Sequence, residues 1–151
     1  MKVGRLMTSN ARTCRPTDSL SQAAEIMWQS DFGCLPVVNE SGEAIAMITD
    51  RDICMAAFTQ GKALSQIAVA NAASRTLVTV RDNDTIETAE SLMRRHQIRR
   101  MPVVDASGKP IGVLSLNDLA RHTGPRRAVE VAAFAQTVAA IGEPPAQAAG
   151  E

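Results

Sequence analysis

The sequence predicts an α+β fold: two like β-α-β-β-α units related by a pseudo-twofold axis, followed by a separate C-terminal helix. Three observations predict it. First, Leu35-Pro36-Val37-Val38 returns as Met101-Pro102-Val103-Val104, while Gly42, Thr49 and Asp52 return as Gly108, Ser115 and Asp118, each pair 66 positions apart. No insertion or deletion separates these anchors, so the two halves are expected to fold alike. Second, short apolar strand-like runs alternate with segments of helical periodicity inside each half. Third, the Ala-rich stretch after the second half has no counterpart in the first. Two like units side by side enclose a cleft, and function is sought there.

A chain of 151 residues is one ordinary domain or two very small ones packed together. A lone unit of about 60 residues buries only about 60% of its unfolded surface, so two units sharing a core are expected. Hydrophobic residues make up 45% of the chain and aromatic ones only 3%, with no Tyr, so the core must be aliphatic. Sixteen basic residues balance sixteen acidic ones. That balance removes the global field that nucleic acids or anionic membranes favour, and neither is expected as a partner. Arg94, Arg95, His96, Arg99 and Arg100 are a local exception. They fit a solvated helix end that complements the macrodipole, or arginines reaching for an anion. The three cysteines, Cys14, Cys34 and Cys54, are an odd set without a C-x-x-C pair. Small buried thiols are expected, not a disulfide framework or a metal site. No apolar run has signal-peptide or membrane-helix length, so the cytoplasm is the expected compartment.

Residues 1–12 read as a polar lead-in. Thr13-Cys14-Arg15-Pro16 is extended, and Thr17-Asp18-Ser19 offers a cap for a helix with Leu20, Ala23, Ala24, Met27 and Trp28 at helical spacing. A strand over 35–38, a turn closed by Gly42 and a strand over 44–48 follow, since a turn commonly needs positive φ at such a glycine. The strands are apolar almost throughout, which predicts burial on both faces. A helix from Thr49 stops at Gly61, and 63–74 is a mixed connector. In the second half Thr79-Val80 is extended. Asp84 opens a helix, with Glu87 in capping-box register and Ile86, Ala89, Leu92 and Met93 as its apolar stripe. Strands over 101–104 and 111–114 flank the turn at Gly108, and a helix from Ser115 ends at Gly124-Pro125. The expected divisions are 1–66, 67–124, a C-terminal helix within 125–143 and a disordered tail over 144–151. Val131, Phe134, Val138 and Ile141 give the last helix one apolar seam. It docks either on its own module or on a second subunit.

The chemistry concentrates in Thr49-Asp50-Arg51-Asp52 and Ser115-Leu116-Asn117-Asp118. A hydroxyl, two spacers and an aspartate directly after a buried strand form a capping box. The same arrangement suits a nucleotide. A helix N-terminus presents free N–H groups to phosphate. Thr49 or Ser115 can donate to a phosphate oxygen, Asp52 or Asp118 can accept from a vicinal diol, and Arg51 supplies a cation. Leu35 and Met101, before Pro36 and Pro102, can press on a flat base, while the extended segments at Thr13 and Thr79 offer backbone groups to its edge.

These motifs, in this order, resemble a tandem pair of cystathionine-β-synthase (CBS) domains, a Bateman module. The resemblance covers nearly all of residues 3–123, carried by Met7-Thr8, Leu35-Pro36-Val37-Val38, Gly42, Ile48-Thr49-Asp50-Arg51-Asp52, Arg100-Met101-Pro102-Val103-Val104-Asp105, Gly108, Gly112-Val113-Leu114-Ser115 and Asp118. It implies two motifs packed through small sheets and an adenine nucleotide (AMP, ADP or ATP) or adenosyl compound between them. It also implies aspartates holding ribose, hydroxyl residues holding phosphate, and a homodimer. Two departures stand out. Ala46 replaces the glycine matched by Gly112, and Asn117 replaces the cation matched by Arg51, with Arg99 and Arg100 available to compensate from across the cleft.

A non-catalytic, ligand-sensing regulatory module acting on a partner protein is the leading reading. A ligand-free scaffold or dimerisation module is the alternative, which Ala46 favours by crowding one cleft. An enzyme is not expected. No nucleophile-base pair is evident, His96 and His122 lie among basic residues near helix ends, and no phosphate loop with Gly-Lys-Ser/Thr is present. A redox role for Cys14 and Cys34 is a remoter idea.

Overall fold

The computed structural model describes residues 1–127 and 129–144. Among these residues six strands and five α-helices run in the order β1 (Thr8–Ser9), α1 (Leu20–Ser30), β2 (Cys34–Val38), β3 (Ala44–Thr49), α2 (Asp50–Gln60), β4 (Val80–Arg81), α3 (Ile86–His96), β5 (Arg100–Val104), β6 (Pro110–Ser115), α4 (Leu116–Arg121) and α5 (Val131–Gly142). The 66-residue offset holds in three dimensions. The antiparallel ladder of β2 and β3 pairs Leu35 with Ile48, and that of β5 and β6 pairs Met101 with Leu114. Each ladder slips once, at Val37/Val38 and at Val103/Val104. Gly42 and Gly108 close the two turns at the same φ of +82°, a conformation open to glycine without steric cost.

Each unit has its own aliphatic core. Leu20, Ala23, Leu35, Ile48 and Ile53 anchor the first, and Ile86, Ala89, Met93, Met101, Leu114 and Leu119 the second. The units do not share one core. They meet at a small cluster of Cys34, Met47 and Val113, flanked by Ala11 and Leu77. Met47 with Val113, and Ala11 with Leu77, are repeat partners, so the pseudo-axis runs through this cluster. The Ala44 N–H also donates to the Gly108 carbonyl across the boundary, at 3.0 Å.

The polar lead-in expected over 1–12 is corrected. Val3 and Leu6 are buried in the second core, and β1 joins the β1-β6-β5-β4 sheet through Thr8 and Ser9. The connector does the converse, placing Ile67 and Val69 in the first core. Short 3-10 turns at Val3–Arg5 and Val69–Asn71 are repeat partners, so the duplication begins earlier than the motif anchors suggest. The first-unit strands depart from two-sided burial: β2 is buried throughout, but Ile45 of β3 is exposed.

Helix starts follow capping chemistry. Ser19 caps α1 in a capping box with Gln22. Thr85, not Asp84, caps α3, its Oγ1 accepting from the Thr88 N–H. Asp84 instead accepts from the Arg81 N–H at 2.8 Å, as Asp18 does from the Arg15 N–H. Helix α4 ends at Arg121, short of the Gly124-Pro125 stop. Helix α5 docks on α3 of its own module. Thr137, fully buried, receives a hydrogen bond from Arg94 at 2.8 Å and donates toward Glu90 at 3.3 Å. The expected seam therefore divides: Ile141 is buried and Phe134 half-buried, while Val131 and Val138 face outward. Of the tail expected over 144–151, all but Pro144 lies outside the described residues.

Candidate functional site

Both hydroxyl–aspartate motifs form the capping boxes that their spacing predicts. Thr49 Oγ1 accepts from the Asp52 N–H at 3.2 Å, while the Thr49 N–H and hydroxyl donate to Asp52 Oδ2 at 2.9 and 2.8 Å. Ser115 and Asp118 repeat the pattern at 3.2, 2.7 and 2.6 Å. Each aspartate thus uses one carboxylate oxygen to fasten its helix and holds the other toward the space between units.

That space is divided into two clefts built from equivalent positions. The first, about 650 Å³, joins Thr49, Arg51 and Asp52 of one unit to Ile98, Arg99 and Arg100 of the other, with Ser74 on its wall. The second, about 150 Å³, joins Ser115, Asn117 and Asp118 to Phe32, Gly33 and Cys34, with Thr8 on its wall. Every residue named for one cleft has its repeat partner in the other. A third hollow of about 300 Å³ connects Arg99 and Arg100 with Ser115, Asn117 and the end of α5.

The clefts differ in charge and in freedom. Arg51, Arg99 and Arg100 border the first, facing Asp50, Asp52 and Glu143. Among the described residues, no donor contacts the outer oxygen of Asp52. In the second, Asn117 and Gly33 replace Arg51 and Arg99. Asp118 is buried, and its outer oxygen is already engaged by the Thr8 hydroxyl at 3.4 Å and by the Arg121 guanidinium.

Of the residues singled out from sequence, Thr49, Arg51, Asp52 and Arg100 come together in the first cleft, and Ser115 and Asp118, again with Arg100, in the second. Leu35 and Met101 line neither. Both have 0% exposure inside their cores, so the base-facing role expected of them has no surface here. Pro36 and Pro102 are buried within the same strands, opposite Met47 and Val113. Thr13 and Thr79 are half-buried and also outside both linings, the first cleft taking Ser74, Thr76 and Val78 from the extended segment instead. Sequence reasoning missed Phe32, Ile98, Thr8 and Ser74 as wall residues. The constant offset, which pairs Phe32 with Ile98 and Thr8 with Ser74, is the signal that finds them.

Ala46 does not close the first cleft. A methyl on Gly112 would meet Met7 Sδ at 2.7 Å and the Thr8 carbonyl at 2.8 Å. At Ala46, where that methyl exists, the segment after Ser74 leaves the sheet, and β2 and β3 stay two-stranded. The expectation of buried thiols holds for Cys14 and Cys34 but not for Cys54, which is exposed on α2. Cys14 and Cys34 are poor candidates for redox chemistry. Burial pushes the Cys14 thiol up to about 12 and, despite the lowering effect of Arg100, the Cys34 thiol up to about 11. Cys34 borders the second cleft, not the first. Among the described residues no group of three or more His, Cys, Asp or Glu is arranged to hold a metal ion.

The profile of the CBS domain matches residues 3–58 and 69–124. The chain belongs to the CBS domain family. The CBS domain-containing protein YhcV of Bacillus subtilis is 40% identical over 114 residues, covering 76% of this chain and 79% of its own. The crystal structure of CBSX2 in complex with AMP superposes with a TM-score of 0.67 at 28% identity, covering 80% of this chain and 93% of that one. The homoserine O-acetyltransferase of Methanocorpusculum labreanum is 32% identical over 79% of this chain, but the shared stretch is only 23% of that enzyme. The similarity to an enzyme is thus confined to a CBS segment. Among the described residues no helix is long and apolar enough to cross a membrane.

Proposed function

We propose that this CBS pair is a non-catalytic regulatory module of the cytoplasm that binds an adenine nucleotide in its first cleft. One observation carries the reading: a carboxylate oxygen of Asp52 and the start of α2 face three arginines, Arg51, Arg99 and Arg100, around about 650 Å³. Ribose hydroxyls donate to Asp52, and phosphate meets the arginines, because the first N–H groups of α2 are already taken by the Gly33 carbonyl, the Asp50 carboxylate and Thr49 Oγ1. AMP bound to the related CBSX2 supports the ligand class. Occupancy is read by a partner protein, or by a second copy. Trp28, at 88% exposure, and Phe58, at 81%, lie on α1 and α2 and support a homodimer through those helices.

Thermal melts with AMP, ADP, ATP and S-adenosylmethionine test this. At least one nucleotide raises the midpoint by several degrees, as ligand in excess over its dissociation constant requires, and is recovered unhydrolysed. No shift with any of the four removes the sensor reading and leaves a scaffold.

A further inference from the structure

Among the described residues, Arg100 is the one that borders all three hollows. It opens β5, paired across the ladder with Ser115, and its guanidinium crosses to the other unit. There Nη1 donates to the Gly33 carbonyl at a long 3.4 Å, and that carbonyl already accepts from the Asp50 N–H at 3.1 Å. Space for the guanidinium exists because residue 33 is glycine: a Cβ there would stand 3.0 Å from Asp50 Oδ2 and 3.1 Å from Arg100 Nη2. The repeat partner of Arg100 is Cys34, so nothing equivalent reaches into the first cleft from the opposite side.

We propose that Arg100 couples the two clefts: at rest it occludes the second, and an anion bound in the first draws it out. This coupling rests on the nucleotide reading of the first cleft. A phosphate offers a charge-assisted, two-pronged partner, stronger than a shared carbonyl at 3.4 Å. Once Arg100 turns to the first cleft, the second is larger and lacks a free cation. Its remaining charges are Asp31, Asp118 and the Arg121 already paired with Asp118. An uncharged nucleoside suits such a lining and a phosphorylated one does not. The device follows the general rule that a ligand shifts an equilibrium only by its differential affinity for the two states.

The experiment is equilibrium binding of adenosine to the full chain, alone and with the first cleft saturated by AMP. Saturating AMP is expected to tighten adenosine binding about tenfold, a typical coupling between sites. Arg100→Ala is expected to bind adenosine tightly without AMP and to lose the AMP dependence, while its AMP affinity falls. Adenosine affinity that AMP leaves unchanged or weakens, with AMP itself bound, overturns the coupling alone. So does an AMP effect that survives in Arg100→Ala. A wild-type chain that binds no AMP overturns the nucleotide reading, and the coupling with it.

Discussion

The two aspartates at the starts of α2 and α4 have the same spacing from a hydroxyl residue, the same helix register and the same capping bonds, yet they live differently. Asp52 is half-buried, with its outer oxygen free toward an arginine-lined cleft. Asp118 is 2% exposed, with its outer oxygen engaged by Thr8 and Arg121. Duplication supplied two like parts; the substitutions in and around them assigned one outward and one inward. A motif therefore states what a residue can bond, while its neighbours decide whether that capacity is already used.

Exchanging the roles of the two sites is the sharpest way to break this contrast. Asp118→Ala should cost about 3 kcal/mol of stability, because charged hydrogen bonds to Ser115 and Thr8 are lost together, and should change nucleotide affinity at the first cleft little. Asp52→Ala should cost only about 1 kcal/mol, the worth of a helix cap, but weaken nucleotide binding about 30-fold, or about 2 kcal/mol. Chemical denaturation and calorimetric titration of both variants decide it. Equal stability losses would mean that the two sites are not differentiated.

Next in size is the sheet edge. Gly112→Ala forces a methyl onto Met7 and the Thr8 carbonyl, and should cost about 2 kcal/mol of overpacking while loosening residues 1–9 to amide exchange. The reciprocal Ala46→Gly should cost about 0.5–1 kcal/mol, the backbone entropy of glycine alone. A further contrast lies in α5, which the first unit lacks. Thr137→Val removes the hydroxyl that joins Arg94 to Glu90 and should cost about 1 kcal/mol, read as a fall in melting midpoint of a few degrees.

The smallest effect is in pH. Burial raises the Glu90 carboxyl above its ordinary value, against the opposing pull of Arg94 and Thr137. The folded chain then holds this proton to higher pH than the unfolded one. Stability is lost as pH rises from the ordinary carboxylate range through the raised folded value. Glu90→Gln should flatten that part of the stability–pH curve, and an unchanged curve would place its origin elsewhere.

The repeat, the strand pairs, the turn glycines and the capping boxes at Thr49 and Ser115 were legible in the sequence, because each rests on local residue chemistry at fixed spacing; the box expected of Asp84 and Glu87 does not form, since Thr85 takes the cap. Leu35 and Met101 were misjudged because an apolar strand residue looks the same whether it faces a cleft or a core. The burial of Thr137 was invisible, since a polar residue on an Ala-rich helix signals solvent unless its partner, Arg94 on another helix, is known. The state of Asp118 depended on Arg121 and Thr8, one helical turn after it and 110 positions before it. The destination of residues 1–9 was available in principle: Val3 and Val69 obey the same offset as the motif anchors.

That exchange of segments governs how the molecule can be made. Residues 1–9 belong to a sheet whose other strands lie at 80–115, so their partners are synthesised only after the first half and its Ile67 and Val69. Neither half owns all the pieces it needs. Severing the polypeptide in the stretch near Gly61 would yield two fragments that complete one another only when mixed, a property of interlocked halves and not of beads on a string.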